Sequence, residues 1–249
     1  MIQSRVDRGI LTLSIDRPDK KNALTSEMYL RLAEQLNQAQ DNEAVRVILL
    51  RGNGEAFCAG NDLADFLGLA QSGALSDDLT SFPPMGLLHS LVDNSIPLVA
   101  AVQGPAVGIG FTMLLHCDLV ICAENALLQA PFVDLGLVPE GGSSLLLPEK
   151  VGRVNTAEIL LLGAPLSAQR ALEMGLCNKV CSVEELEATA LMLAQALANK
   201  PAKALAASKK MLQGDTEKLH QRIDEEAVRF LAALQSEEAK KALSQFFQN

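Results

Sequence analysis

The run Leu98-Val99-Ala100-Ala101-Val102-Gln103-Gly104-Pro105-Ala106-Val107-Gly108-Ile109-Gly110 decides the fold class. Its first five residues are apolar and read as a buried strand over 98–102. Gln103-Gly104 ends the strand, and the glycines that follow open a short helix over 108–115. A third strand is expected over 119–123. The whole stretch 96–123 is apolar enough to imitate a membrane span. Pro97, Gly104, Pro105, Gly108 and Gly110 cut it into short pieces, so strand, turn, helix and strand is the better reading.

Working outward, Val47-Ile48-Leu49-Leu50-Arg51-Gly52 resembles Val99-Ala100-Ala101-Val102-Gln103-Gly104. Each is a strand, a glycine turn and a glycine-rich helix entrance, which suggests a repeated unit. Strands are expected over 3–6 and 10–15, around the turn Asp7-Arg8-Gly9, and over 45–50. Thr25 is a candidate cap for a helix to about 42, with Met28, Leu32 and Leu36 on one face. The polar segment 71–80 reads as a surface loop, followed by a helix over 86–93. After 145 the pattern becomes helical, with one strand signal at 179–181. Ser182 and Glu185 form a capping box that opens a helix to 199. Further helical periodicity covers 202–212 and 217–247. Alternating strands and helices predict an α/β chain. The expected division is a core with the ligand site over 1–195 and a helical oligomerisation region over 196–249.

Composition narrows the function. The chain has 249 residues, 21 basic and 30 acidic, for a net charge of -9. That length suits one large domain, or one domain with an appendage. Acidic surfaces disfavour nucleic acid and polybasic membrane contacts. There is no Trp and a single Tyr, so base-stacking platforms are not expected. The three histidines, His89, His116 and His220, are not at metal-ligand spacing. No metal is expected, and carboxylates are left for acid–base work. Five cysteines without a CxxC pair fit a reducing compartment, and a cytoplasmic location is expected.

The segments Phe57-Cys58-Ala59-Gly60-Asn61-Asp62-Leu63 and Gly104-Pro105-Ala106-Val107-Gly108-Ile109-Gly110 each put small residues before a helix. Helix N-termini carry unpaired N–H groups and partial positive charge. Two such entrances aimed at one oxygen would form an oxyanion hole. For either alone, tight turns and strand–helix packing are the favoured explanation. The second does not meet the GxGxxG pattern of a dinucleotide site.

Three segments together resemble the crotonase (enoyl-CoA hydratase/isomerase) superfamily: Asp16-Arg17-Pro18-Asp19-Lys20-Lys21-Asn22-Ala23-Leu24, residues 56–63 and residues 103–118. The resemblance implies a spiral of ββα units and a helical C-terminal trimerisation region, giving a homotrimer or a dimer of trimers. It implies an acyl-CoA ligand, with coenzyme A as part of the substrate and no other cofactor. By position, the thioester oxygen would meet the N–H groups of Asn61 and Ile109. The ligand would run along Ala23, Leu24, Ala59, Gly60, Asn61, Asp62, Leu63 and Gly108. Arg17, Lys20 and Lys21 are open candidates for its phosphates.

Hydratases of this family use two glutamates, and the matching positions here are Thr112 and Phe132. Neither can be a general base. Another carboxylate, Glu140, lies in Leu137-Val138-Pro139-Glu140-Gly141-Gly142-Ser143-Ser144. Apolar surroundings would raise its pKa toward the working pH. From spacing alone a solvated turn residue that stabilises a helix N-terminus is the favoured reading. Pro139-Glu140-Gly141-Gly142-Ser143-Ser144, with Gly60-Asn61-Asp62-Leu63, resembles the peroxisomal-type Δ3,Δ2-enoyl-CoA isomerases. That resemblance implies Glu140 as a single proton shuttle. Asp134 is the reserve acid–base candidate, and Asp62 is expected to cap a helix. His116 is expected to be a core residue and Cys58 a packing residue. Thr112 and Ser143 are weak candidates for positioning a water. The expected activity is movement of an enoyl-CoA double bond from C3 to C2. Hydration, thioester hydrolysis and non-catalytic acyl-CoA binding are the alternatives.

Overall fold

The computed structural model describes residues 1–62, 64, 65, 68, 79 and 82–246. Leu63 and all but one residue of the expected 71–80 loop lie outside the described residues. The strands are β1 (Ile2–Asp7), β2 (Ile10–Ile15), β3 (Val47–Gly52), β4 (Leu98–Val102), β5 (Pro105–Val107), β6 (Leu119–Ala123), β7 (Leu127–Gln129), β8 (Leu166–Ser167) and β9 (Lys179–Cys181). One sheet has the order β1-β2-β3-β4-β6-β9, and a second has β5-β7-β8. From β2 to β9 the first sheet is parallel, and its register aligns Leu13, Leu50, Ala100 and Val120 in one row. Parallel strands covered on both faces should be apolar throughout. Leu13, Ile48, Leu50, Ala100 and Val102 face the main core, while Ile10, Val47, Leu49, Val99 and Ala101 face the other side.

The repeat is more extensive than two sequence copies reveal. β4 leads after two residues into β5, and β6 leads after three into β7. The chain after β3 places Cys58 beside Ala106 of β5, and the chain after β2 places Leu24 beside Asn61. Successive turns therefore put a long strand in one layer and a short extended piece in the next. This is the spiral of ββ steps, with helices outside it.

The labelled helices are α1 (Ser26–Gln40), α2 (Pro83–Asp93), α3 (Ile109–Thr112), α4 (Ser143–Leu161, interrupted at Gly152), α5 (Ala168–Glu173), α6 (Val183–Ala198), α7 (Ala202–Leu212), α8 (Thr216–Leu234) and α9 (Glu237–Phe246). Thr25 caps α1 through the Met28 N–H, and the Ser182/Glu185 capping box opens α6. α6 presents Leu186, Ala190, Ala194 and Ala198 to the sheet, and these mostly small side chains let it lie close. The expected boundary at 195 falls inside this helix. The helical C-terminal region is present, but one helix over 217–247 is not. The chain breaks after Leu234, where the Ser236 hydroxyl accepts the Ala239 N–H and starts α9. The expected helix over 108–115 is also shorter, since α3 passes into a 3-10 turn over Met113–His116.

α8 lies against α2, with its apolar stripe in the main core. His89 contacts Asp224 at 2.9 Å and His220 contacts Asp93 at 2.8 Å, so the two helices are joined by reciprocal polar pairs. Among the described residues no helix is long and apolar enough to cross a membrane.

Candidate active site

The site is built where three turns of the spiral meet. Asn22 has φ +60° and is fully buried. Its amide donates to the carbonyls of Asn53 and Ala56 at 2.9 and 2.7 Å, and its oxygen accepts the Arg17 N–H. That fixes the path of Ala23-Leu24. Leu24 then pairs with the next segment by accepting the Asp62 N–H and donating to the Gly60 carbonyl, both at 2.8 Å. Arg17 donates to Asp62 at 2.6 Å and to the Ala23 carbonyl at 3.1 Å, so it braces this junction. Asp62 also accepts the N–H groups of Ala64 and Asp65, as expected of a helix cap.

Cys58 and β5 exchange backbone hydrogen bonds: Cys58 N–H to Pro105, and Val107 N–H to Cys58. The two glycine-rich entrances are thereby laid side by side. A Cβ on Gly110 would stand 2.2 Å from the Cys58 carbonyl oxygen, so only glycine permits this approach. Gly60 has φ +99°, a conformation that favours glycine. Among the described residues, neither the Asn61 nor the Ile109 N–H has a hydrogen-bond acceptor. Ala23, Ala59, Asn61, Asp62 and Gly108 keep accessible surface along this edge, while Leu24, Gly60 and Ile109 are buried behind it.

Glu140 and Asn61 line one cavity together with Tyr29. Its apolar walls come from α2, through Met85 and Leu88, and from α8, through Ile223 and Phe230. The cavity holds about 20 Å³, room for roughly one water. Glu140 is partly accessible, yet burial among these walls pushes its pKa from 4.5 to about 8. A hydrogen bond from the Thr112 hydroxyl opposes that rise, and the nearby Glu226 carboxylate adds to it. Tyr29 donates its hydroxyl to the Asn61 side-chain oxygen. Burial, then the Glu140 charge, holds the Tyr29 pKa well above its ordinary 10.0, so Tyr29 is a donor rather than a base.

The remaining candidates sort by environment. His116 contacts the Gly141 carbonyl at 2.8 Å, and burial drives its pKa down to about 4. It is a half-buried, neutral residue that donates to the turn behind Glu140. Burial pushes the Cys58 thiol up to about 12, which removes it as a nucleophile. Asp134 is exposed, in the 3-10 turn Val133–Leu135 beside Gly163, and does not line the Glu140 cavity. Ser143 is fully buried, and its hydroxyl lacks a partner among the described residues. Among the described residues no cluster of three or more His, Cys, Asp or Glu could hold a metal ion.

Two residues of the site were not singled out from sequence. Tyr29 gave no signal beyond being the single tyrosine. Glu226 did leave one. It occupies a buried position on the stripe Leu219, Ile223, Ala227, Phe230, where an apolar residue is expected. The Glu226 carboxylate accepts the Gly142 N–H at 2.6 Å and the Ser144 N–H at 2.9 Å.

A spiral of ββ steps with two free N–H groups beside a half-buried carboxyl defines a protein of the crotonase class. The chain belongs to the enoyl-CoA hydratase/isomerase family, whose model matches residues 5–249. It is 38% identical to a 1,2-epoxyphenylacetyl-CoA isomerase of Escherichia coli K12, over 80% of this chain and 77% of that protein. It is 32% identical to enoyl-CoA delta isomerase 2 of Rattus norvegicus, over 96% of this chain but only 61% of the rat protein's length. A carnitinyl-CoA dehydratase of Proteus mirabilis is 35% identical over 84% of this chain and 78% of its own. The solved structure of Pseudomonas aeruginosa OdaA matches with a TM-score of 0.93 at 42% identity, over 100% of this chain and 99% of that one.

Proposed function

We propose that this family member is an enoyl-CoA isomerase that moves a double bond from C3 to C2, with Glu140 as its only proton shuttle. One observation carries this reading. Among the described residues lining the cavity, Glu140 is the single carboxyl, and Thr112 stands as a hydroxyl donor to it. Hydration by two carboxylates needs a second one there. A shuttle that must act as base and then as acid works best with a pKa near the working pH, and burial supplies that. Two relatives named as isomerases of CoA thioesters are consistent with it.

In this reaction Glu140 removes a C2 proton from a 3-enoyl-CoA. The thioester oxygen of the dienolate accepts the N–H groups of Asn61 and Ile109. Protonated Glu140 then delivers the proton to C4 on the same face, giving the 2-enoyl-CoA. Ala23, Leu24, Ala59, Gly60, Asp62 and Gly108 form the backbone edge along which the CoA ester lies. Incubation with a 3-enoyl-CoA, followed by mass-resolved chromatography, should show a product of unchanged mass with a shifted double bond. Glu140→Gln should lower kcat by about 10²–10⁴-fold. Survival of near wild-type isomerisation in that variant, or a product one water heavier, overturns the reading.

A further inference from the structure

We propose that Glu226 is a positioning residue for Glu140: from α8 it grips the Gly142 and Ser144 N–H groups and so holds the Pro139–Ser144 turn that carries the Glu140 carboxyl. The inference rests on the role given to Glu140 above. Its geometry is that of a capping interaction made across more than eighty residues of sequence. Gly142 and Ser144 open α4, where N–H groups lack helical acceptors. A side chain of the same segment would normally satisfy them. Here a carboxylate from another helix does so, at 2.6 and 2.9 Å, with only 5% of Glu226 exposed. The turn cannot rest on ordinary helix packing alone, because Gly141 and Gly142 both have positive φ. A carboxylate placed to hold such a turn controls where Glu140 points.

The two carboxyls are held in different states. Burial pushes both upward. Glu226 is drawn back by Ser144, the Gly142 N–H and Arg222, whereas Glu140 has only the Thr112 hydroxyl. Both Glu226 oxygens accept backbone N–H groups, which favours the carboxylate form against burial, whereas Glu140, with one hydroxyl donor, is the carboxyl that exchanges the proton. The other titratable groups facing Glu140 are Tyr29 from α1, Cys58 after β3 and His116 after α3. Their shifts leave all three uncharged near neutral pH. The charged groups that act on this neighbourhood are Arg222 on Glu226, Asp65 on Tyr29, and Lys150 and Lys209 on His116.

The test uses the whole chain and reads kcat, KM and the pH profile together. Glu226→Gln removes the charge and one of the two acceptors. We expect kcat to fall about tenfold with KM nearly unchanged. The acid limb of kcat/KM should move to lower pH. Glu226→Asp keeps the charge but shortens the reach, so kcat should fall with the limb in place. A purely structural residue would lower the melting temperature and leave the limb where it is, and that result overturns the proposal. Wild-type kcat in the Asp variant overturns it as well. An independent arm needs no substrate: carboxyl-¹³C glutamate NMR of the free protein, with the Glu140 signal assigned by its loss in Glu140→Gln. That signal should titrate at lower pH in Glu226→Gln. An unmoved titration refutes the role of Glu226 whatever reaction the enzyme catalyses, while failure of the isomerase assay alone refutes only the reading of the reaction.

Discussion

Thr112 donates its hydroxyl to Glu140, and this bond favours the charged carboxylate against the burial that disfavours it. Its removal has a definite sign. Thr112→Val leaves Glu140 buried with no hydroxyl donor, so its pKa rises further above about 8. The reaction begins with Glu140 as a base, so activity is present above that pKa and lost as pH falls through it. The acid limb of kcat/KM in Thr112→Val should therefore move to higher pH, opposite in direction to Glu226→Gln. A pH–rate profile of the variant checks it, and a limb that stays put would show that the hydroxyl does not govern Glu140. The same residue shows what sequence can and cannot say. Thr112 could be read as the missing hydratase glutamate. Its hydrogen bond to Glu140, 28 positions away, depends on how the spiral returns.

At the scale of elements, the strands were legible because their side chains alternate between two covered faces, with every position apolar. Leu98–Val102 and the Val47–Leu50 part of β3 are such runs. The helix starts at Thr25 and Ser182 were legible because capping is local chemistry. β8 was not, since two residues carry no period. The break between α8 and α9 was hidden because the amphipathic pattern continues across it. The meeting of the two glycine-rich entrances was implied by the family resemblance, and the Cys58–Ala106 pairing lays them side by side. Gly110 tests that pairing. Its added methyl would press on the Cys58 carbonyl at 2.2 Å, a backbone atom that cannot turn aside. At Gly108 a methyl meets nothing within 4 Å and carries only the strain of φ +55°. Gly110→Ala should cost about 10²–10³ in kcat by parting the two N–H donors. Gly108→Ala should cost the fold about 1–3 kcal/mol of backbone strain. Steady-state kinetics beside thermal melts would separate the two, and equal kinetics in both variants would deny the close approach its importance.

At the scale of the molecule, the C-terminal helices are a wall of the site rather than an appendage. Composition and periodicity showed a helical region, but its destination was unreadable, because α8 packs on α2 and α4, far away in the chain. Leu219, Ile223, Ala227, Phe230 and Leu234 join the same core as β2, β3 and β4. The cavity they close over Glu140 has about 20 Å³ among the described residues. That dual duty predicts the outcome of deleting residues 215–249. Leu219, Ile223, Phe230, Leu234 and Leu243 are five large buried side chains, and at about 2 kcal/mol each they amount to about 10 kcal/mol. The Gly142 and Ser144 N–H groups also lose their Glu226 acceptor. Domains have only about 5–15 kcal/mol of net stability. The shortened chain should therefore show no cooperative thermal transition by near-ultraviolet circular dichroism. If the region were an oligomerisation arm laid on an independent core, the shortened chain would instead melt cooperatively as a monomer. Retention of a sharp transition would refute the integration of α8 into the core and, with it, the dependence of the Glu140 turn on that helix.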